Sequence, residues 1–180
     1  MTTPTLVWFR RDLRLSDHPA LTAACKSGPV IPVFIHDDSV AGLGAAPKWR
    51  LGLGVEALAQ SLHDAGSQLI LRRGDALEQL QALIAETGAK AVYWTRAYDP
   101  DAITRDTNIK STLKAAGVEA KSFGGHLMFE PWTTETKTGG FYKVYTPFWK
   151  RFSSGSAIRS PLPAPSTIPI ATFEDCLLYT

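Results

Sequence analysis

Three charged residues follow the first apolar run of the sequence without a gap. Arg10, Arg11 and Asp12 come directly after the strand-forming residues 5–9, and a helix begins at residues 19–20. In an open α/β sheet, ligands bind at the carboxyl ends of the strands. The two arginines could therefore face a ligand in a crevice. They could equally form structural ion pairs with acids on neighbouring loops, for which the candidates are Asp37, Asp38, Asp99 and Asp101.

The second strand and the helix after it carry further candidate ligand contacts. Phe34 and Asp37 lie at the carboxyl end of the second apolar run, where Phe34 could either belong to the core or stack on an aromatic ligand. Lys48 lies near the start of the next helix, where a cation opposes the helix dipole. A cation in that place is typical of a site for an anionic ligand, although a solvated helix face accounts for it equally well.

Apolar runs and helical periodicities alternate along the chain and predict the elements that would position these residues. Strands are predicted at residues 5–9, 29–35, 68–71, 90–95 and 118–123. Helices are predicted between them, the first capped by Ser16 or Asp17 and ended by Gly28. This alternation is typical of βαβ units. We therefore expect an α/β fold, a Rossmann-like three-layer sandwich in which a parallel sheet of about five strands has helices on both faces.

Composition and motifs exclude several classes of function. The net charge of +2 over 180 residues does not by itself indicate a nucleic-acid-binding protein. No signal peptide or membrane-spanning stretch is apparent, and the two cysteines lack metal-site spacing, so we expect a cytoplasmic protein without a metal. A glycine pattern at Gly52 and Gly54 resembles a dinucleotide fingerprint, but it lies inside a helical periodicity. No catalytic triad or carboxylate pair is visible.

The pattern changes after residue 130, so we predict three regions. Residues 1–130 form the α/β core, and residues 131–152 form an aromatic-rich extension that packs on the core. Residues 153–180 are rich in proline and serine and begin an interdomain linker. Aromatic and cationic side chains alternate in residues 141–152, where a short helix is predicted after Pro147. Such alternation occurs in some nucleic-acid-binding segments, but packing against this domain or a neighbouring one is the favoured interpretation.

Several segments, in order, resemble the DNA photolyase/cryptochrome family, and bacterial cyclobutane pyrimidine dimer photolyases fit best. The segments are VWFRRDLRLSDHPAL from residue 7, PVFI followed by Asp37, the helix start at Ala46, Pro47 and Lys48, AVYWTRAYDPDA from residue 91, FEPW from residue 129 and KVYTPFWK from residue 143. Together they cover nearly the whole chain. The resemblance therefore implies membership of this family.

The resemblance implies the N-terminal antenna domain of a deoxyribodipyrimidine photo-lyase. In this family a larger, C-terminal helical domain holds FAD and the DNA lesion, and light-driven electron transfer from reduced FAD splits the pyrimidine dimer. The α/β domain holds a light-harvesting chromophore: methenyltetrahydrofolate, a deazaflavin or a flavin. This chain matches only the α/β domain. We therefore expect no repair activity from it alone, a monomer, and its own helical domain as partner, through which damaged DNA is bound.

The resemblance also transfers an antenna pocket to numbered positions of this sequence. These are Arg10, Arg11, Phe34, Asp37, Lys48, Tyr98, Asp99 and Asp101. Two positions depart from the family pattern: Ala102 stands where folate-binding relatives have a glutamate, and Ala97 where a deazaflavin-binding relative has an aspartate. Neither chromophore is therefore favoured, and an empty pocket is compatible with the sequence. Alternatives are a cryptochrome-type blue-light sensor or a stand-alone nucleotide-binding or interaction module, and a DNA-binding module is the weakest.

Overall fold

The computed structural model describes residues 3–136, 139–154 and 158–170. Its centre is one sheet of five parallel strands in the order β3-β2-β1-β4-β5. The strands are β1 (Thr5–Phe9), β2 (Val30–His36), β3 (Ile70–Arg73), β4 (Ala91–Thr95) and β5 (Glu119–Phe123). The predicted parallel sheet of about five strands is confirmed. Because β1 is central and the strands are parallel, the loops that follow β2 and β4 lie beside the loop that follows β1.

Helices cover both faces of this sheet, which confirms the predicted three-layer sandwich. The α-helices are α1 (Pro19–Ser27), α2 (Asp38–Ala41), α3 (Ala45–Asp64), α4 (Ala76–Thr87), α5 (Pro100–Ala115) and α6 (Tyr145–Ser153), and Pro131–Thr133 form a 3₁₀ turn. Leu6 and Trp8 of β1 point into the core formed with α4 and α5. Val7 and Phe9 point into the opposite core, formed with α1 and α3. This alternation follows from the two-residue period of a strand.

Two elements differ from their predicted positions for local reasons. β3 begins at Ile70, two residues later than predicted, and pairs only with the second half of β2, from Val33 to His36. It is an edge strand, which tolerates Arg72 and Arg73 because one side of the strand is unpaired. Helix α6 begins at Tyr145 rather than after Pro147, since proline is accepted in the first turn of a helix.

The N-cap of α1 is His18, and the prediction of Ser16 or Asp17 is wrong. The His18 Nδ1 atom accepts a hydrogen bond from the Leu21 amide at 3.0 Å, and its Nε2 atom lies 2.7 Å from Asp12 Oδ2. Both side chains are buried. Because Nδ1 accepts, the ring proton is on Nε2, where it faces the carboxylate. Asp17 instead adopts a left-handed conformation, with φ of 48°.

The proline-rich C-terminal segment returns to the α/β core in its described part. The Asp17 amide donates to the Leu162 carbonyl at 2.8 Å, and the Val30 amide donates to the Pro169 carbonyl at 2.7 Å. Ile168 is buried in the core beside α1 and α3. Residues 158–170 therefore lie along the domain. Residues 155–157 and 171–180, which include part of the predicted linker and Cys176, lie outside the described residues.

Candidate functional site

A cavity of about 1240 Å³ opens at the carboxyl ends of the strands. The loops after β1, β2, β3 and β4 line it, and the N-terminal half of α3 forms another wall. Six of the eight predicted site residues line this cavity: Arg10, Arg11, Phe34, Asp37, Asp99 and Asp101. Lys48 and Tyr98 are not among the lining residues. The cavity lies at the topological switch of the sheet, where open α/β folds bind their ligands.

An ion-pair network forms the wall of the cavity beside α5. Arg10 Nη1 donates to both carboxylate oxygens of Asp106, at 2.8 and 3.0 Å. Arg105 bridges Asp106, at 3.2 Å, and Asp37, at 2.9 Å. Arg10 also donates to the Thr95 carbonyl. Arg10 is thus held by an acid on a helix rather than by the four loop acids considered from the sequence.

Two buried tryptophans form the floor of this network. The Arg10 guanidinium lies 4.6 Å from the centre of the Trp8 ring, and the Arg105 guanidinium lies 5.2 Å from it. Trp94 Nε1 donates to Asp106 Oδ2 at 3.1 Å. Stacking and hydrogen bonding together fix both arginines, because a planar guanidinium favours aromatic faces and carboxylates. This wall is therefore rigid and nearly charge-neutral.

Three further arginines of the lining have no carboxylate partner among the described residues. Arg11 and Arg50 are exposed lining residues, and they make no ion pair or hydrogen bond with any residue that the structure describes. Arg14, also in the lining, donates to the carbonyls of Asp17 and Gly125 at 3.1 and 2.9 Å and carries a full charge without a carboxylate partner among the described residues. Unpaired guanidinium groups at a cavity mouth favour an anionic ligand.

Three of the lining aspartates are occupied as helix caps. Asp37 accepts from the Ser39 amide at 3.1 Å, Asp75 from the Glu78 amide at 3.0 Å and Asp99 from the Ala102 amide at 3.2 Å. They cap α2, α4 and α5 respectively. A carboxylate at a helix N-terminus is stabilised by the amide groups and the helix dipole. The caps explain why the sheet edge is rich in acids, and α2 was not predicted because its capping signal overlaps the end of β2.

Lys48 and Tyr98 have other partners. Lys48 is exposed, and its Nζ atom donates to the Ala41 carbonyl at 3.0 Å. The Tyr98 hydroxyl donates to Glu130 Oε2 at 2.7 Å, and Arg96 Nη1 contacts Glu130 Oε1 at the same distance. Burial, together with the Glu130 hydrogen bond, raises the pKa of Tyr98. These contacts tie the β4 loop to the segment that leads into the 3₁₀ turn.

The turn after β1 is held by a buried carboxylate. Burial by itself would raise the pKa of Asp12. Hydrogen bonds from His18 and from the Arg10 amide lower the pKa by more than burial raises it, so the net pKa lies well below the ordinary range. The carboxylate therefore stays ionised at neutral pH. Its bond with the Arg10 amide, 2.9 Å long, fixes the backbone from which both Arg10 and Arg11 project.

His126 is a titratable lining residue that sequence reasoning did not single out. Its side chain is exposed, and desolvation by the surrounding lining is the main reason why its pKa lies below the ordinary value of 6.5. The attraction of Asp12 opposes this shift, while repulsion by Arg14, Arg10 and Arg11 adds to it. The ring is therefore neutral at pH 7 and is the group in the lining whose charge can change near neutrality.

Helix α3 packs against the turn after β1 at a glycine. A Cβ atom added at Gly54 would lie 2.8 Å from Leu13 Cδ1, so a larger residue there would require the Leu13 side chain to shift. Gly54, Leu51 and Arg50 are lining residues of the cavity. The pattern at Gly52 and Gly54 is helical, as the sequence interpretation required, and serves packing at Gly54.

One sequence signal could have identified Asp106 and its neighbour Arg105, namely a carboxylate on the core-facing side of a helix. Helix α5 buries Ala102, Ile109 and Leu113. Asp106 lies four residues after Ala102 and three before Ile109, so it falls on the same face of the helix. A carboxylate at a core-facing position needs a buried partner. Arg50 shares the signal of Lys48, a cation near the start of α3, whereas His126 carries no comparable sequence signal.

No metal or membrane feature accompanies this cavity. In the described ranges, no group of three His, Cys, Asp or Glu side chains could hold a metal ion. Among the same residues, no helix is long and apolar enough to cross a membrane.

Comparisons with known sequences find one family. The family model for DNA photolyase matches residues 5–166. The chain is 45% identical over 168 residues to the deoxyribodipyrimidine photo-lyase of Agrobacterium fabrum, an alignment that covers 93% of this chain and 35% of that protein. It is 34% identical over 178 residues to cryptochrome-1 of Arabidopsis thaliana, covering 96% of this chain and 26% of that protein. The chain thus spans about a third of the length of these relatives.

Comparison with solved structures finds a photolyase and a cryptochrome as well. The chain superposes on the crystal structure of a class III photolyase from Agrobacterium tumefaciens with a TM-score of 0.91 and 44% identity. The match covers 94% of this chain and 36% of that one. A cryptochrome from Synechocystis matches with a TM-score of 0.85 and 28% identity, over 98% of this chain and 39% of that one.

Proposed function

The chain belongs to the DNA photolyase family, and we propose that it is the N-terminal, light-harvesting part of a deoxyribodipyrimidine photo-lyase. The observation that carries the antenna assignment is the cavity at the switch of the sheet, whose lining combines a fixed, neutral ion-pair network with Arg11 and Arg50, which have no partner among the described residues. Sites for small organic molecules generally occupy roughly 300–1,000 Å³. A cavity of about 1240 Å³ is large enough for a folate or a flavin.

The lining residues fit an aromatic chromophore that carries negative charge. Phe34 is a nearly buried ring in the lining and offers an apolar contact to a planar heterocycle. Arg11 and Arg50 offer charge to phosphate or carboxylate groups. We assign ligand contact to these three residues. Arg10, Asp37 and Asp99 hold the pocket wall, and Asp101 lies in the first turn of α5 beside it. A chromophore bound there would supply absorption of near-ultraviolet and blue light.

The two positions at which this sequence departs from the family pattern bear on which ligand the cavity would accept. Ala97 and Ala102 both belong to the lining. Alanine at these positions removes the carboxylates through which folate-binding and deazaflavin-binding relatives would hold their chromophores, according to the sequence resemblance. The absence of these two carboxylates makes the cavity more favourable to anions. A flavin with a phosphate group fits this balance as well as a folate does.

DNA repair itself is proposed for the longer protein of which this chain would be a part. The relatives extend over roughly three times the matched length, and FAD and damaged DNA are assigned to the part without a counterpart here. No residue of this chain is assigned to catalysis. A photo-lyase is favoured over a cryptochrome because identity to the Agrobacterium fabrum enzyme is 45%, against 34% to the Arabidopsis cryptochrome.

Absorption spectroscopy tests the antenna assignment directly. The purified chain is titrated with methenyltetrahydrofolate, a deazaflavin and flavin mononucleotide in turn, and the near-ultraviolet and visible spectrum is followed. Binding of one of them, weakened by substitution of Phe34, would support the proposal. If none binds to the isolated chain or to a fusion with the remaining two-thirds of the Agrobacterium enzyme, the antenna assignment fails.

A further inference from the structure

Helix α6 carries an aromatic stripe of which this chain covers only half. At about 100° per residue, Tyr145, Phe148, Trp149 and Phe152 fall within one arc of roughly 100°, which we call the α6 aromatic face. Lys150 and Arg151 lie outside that arc. A surface helix normally turns such a stripe into a core. This segment therefore has the sequence of a helix that is packed along its whole apolar side.

One edge of the α6 aromatic face is packed. Phe152 is 9% exposed and lies 4.6 Å, between ring centres, from Phe129 and 4.7 Å from Phe148. Phe148 in turn contacts Tyr142, with ring centres 6.0 Å apart. These contacts join the helix to the segment that precedes it, at Phe129 and Tyr142.

The other edge is open to solvent. Tyr145 is 70% exposed and Trp149 is 54% exposed, and their rings stack on each other with centres 6.2 Å apart and planes at 10°. The two residues just before the helix add to this surface, since Val144 is 61% exposed and Phe141 is 76% exposed. A continuous apolar surface of this kind is unusual on a monomer and marks an interaction site. Tyr and Trp are also the residues most enriched at the centres of interfaces.

We propose that the open edge of the α6 aromatic face, formed by Tyr145 and Trp149, docks against the portion of a photolyase that has no counterpart in this chain. Two observations favour this occupant. The relatives continue for about two-thirds of their length beyond what this chain matches, so a large partner surface exists within the same polypeptide in them. The face also follows the α/β core in sequence and lies within the matched residues 5–166, so it belongs to the shared architecture.

Two other occupants are left to the test. A single-stranded nucleic acid would stack its bases on the exposed rings and pair its phosphates with cations beside them. Lys150 and Arg151 lie outside the aromatic arc, and the Arg151 guanidinium lies 5.9 Å from the centre of the Phe152 ring, on the packed edge rather than beside Tyr145 and Trp149. A second copy of this chain is the other alternative. The proposal rests on the proposed function, because it takes this chain to be the N-terminal part of a longer photolyase.

The test compares the isolated chain with a chimera that joins it to the remainder of the Agrobacterium fabrum photo-lyase. Hydroxyl-radical footprinting measures the reactivity of Trp149, and Trp49 on α3, 69% exposed, is the matched internal control. We expect Trp149 to react like Trp49 in the isolated chain and several-fold less in the chimera, with Trp49 unchanged. Equal reactivity in the folded chimera, or protection of Trp149 already in the monomeric isolated chain, would overturn the proposal.

Matched variants give a second readout. Trp149→Ser in the chimera should accelerate limited proteolysis between the two parts several-fold, whereas Trp49→Ser should not. Light scattering and single-stranded oligonucleotide titration of the isolated chain complete the set. A dimer lost in Trp149→Ser would assign the face to a second copy, and oligonucleotide binding lost in that variant would assign it to nucleic acid. Neither readout involves a chromophore, so failure of the antenna assignment and failure of the docking proposal are distinguishable.

Discussion

Arg10 and Asp106 are joined through a single guanidinium nitrogen that donates to both carboxylate oxygens, at 2.8 and 3.0 Å. Arg10 directly follows β1, and Asp106 lies in the middle of α5, 96 positions later. Each side chain is 12% exposed. The pair therefore connects the central strand to the helix layer at the point where the cavity opens, and both Trp94 and Arg105 depend on the same carboxylate.

Asp106→Ala should destabilise the domain by about 2–3 kcal/mol, because it leaves Arg10 and the Trp94 indole N–H without their partner in a partly buried site. Urea unfolding at pH 7 measures this free energy. Asp64→Ala provides the control: that carboxylate is 67% exposed, and its loss should change stability by less than about 0.5 kcal/mol. Equal effects of the two substitutions would show that the Arg10 pair does not stabilise the fold.

Asp12 should contribute to the loss of stability in acid. Its pKa in the folded protein is lower than its ordinary value of 3.8, so its contribution is present above about pH 4 and is lost as the pH falls through the folded pKa. Asp12→Asn should cost about 1–3 kcal/mol at pH 7, since its amide N–H would face the His18 Nε2 proton.

Urea unfolding of wild type and Asp12→Asn at neutral pH and at about pH 3 measures this effect. The difference between them should shrink in acid. A difference that is constant with pH would mean that the Asp12 carboxylate does not gain its stabilisation from being ionised. Asp64→Asn is the exposed control.

His126 should make anion binding stronger in mild acid. Its pKa lies below 6.5, and protonation adds a positive charge to the lining beside Arg14, Arg10 and Arg11. The affinity for flavin mononucleotide should therefore rise as the pH falls from about 8 to about 5.5. His126→Gln should flatten this dependence while leaving the affinity at pH 8 nearly unchanged. Fluorescence titration across the pH range decides between the two profiles. Riboflavin, which lacks the phosphate, is titrated in parallel, so that the effect of the phosphate's own titration can be separated from that of His126.

The unpaired arginines should supply most of the electrostatic affinity. Arg11→Gln combined with Arg50→Gln should weaken flavin mononucleotide binding about tenfold, which corresponds to about 1.4 kcal/mol, and should reduce its dependence on salt. The fold should be unaffected because neither side chain bonds to a described residue. Riboflavin, which lacks the phosphate, should bind both proteins alike.

Lys48→Glu belongs in the same titration. The sequence resemblance predicts that Lys48 contacts the chromophore, whereas in the structure its Nζ atom bonds to the Ala41 carbonyl outside the lining. A loss of affinity as large as that of the double arginine variant would place Lys48 in the site. An unchanged affinity would leave ligand binding to the residues of the lining.

Local sequence signals determined the elements of this protein because each signal acts over a few residues. Strand β1 follows from the apolar run at residues 5–9, and the end of α4 follows from Gly88, whose φ of 67° suits glycine. Six of the eight proposed site residues line one cavity for a similar reason: they follow strands, and the carboxyl ends of parallel strands share one edge.

Tertiary structure decided the partners. The sequence placed an arginine at position 10 but did not show whether loop acids or Asp106 would hold it, because this choice depends on how α5 lies across the sheet. The packing of α3 against Leu13 places Arg50 at the cavity, and no pattern within α3 indicates that distance. Secondary structure reflects neighbours along the chain, whereas ion pairs, cavities and uncovered faces reflect the packing of elements distant in sequence. The sequence thus determined which elements form and at which edge of the sheet their charged residues lie, and only the packing of those elements decided which charges are paired and which stay unpaired among the described residues.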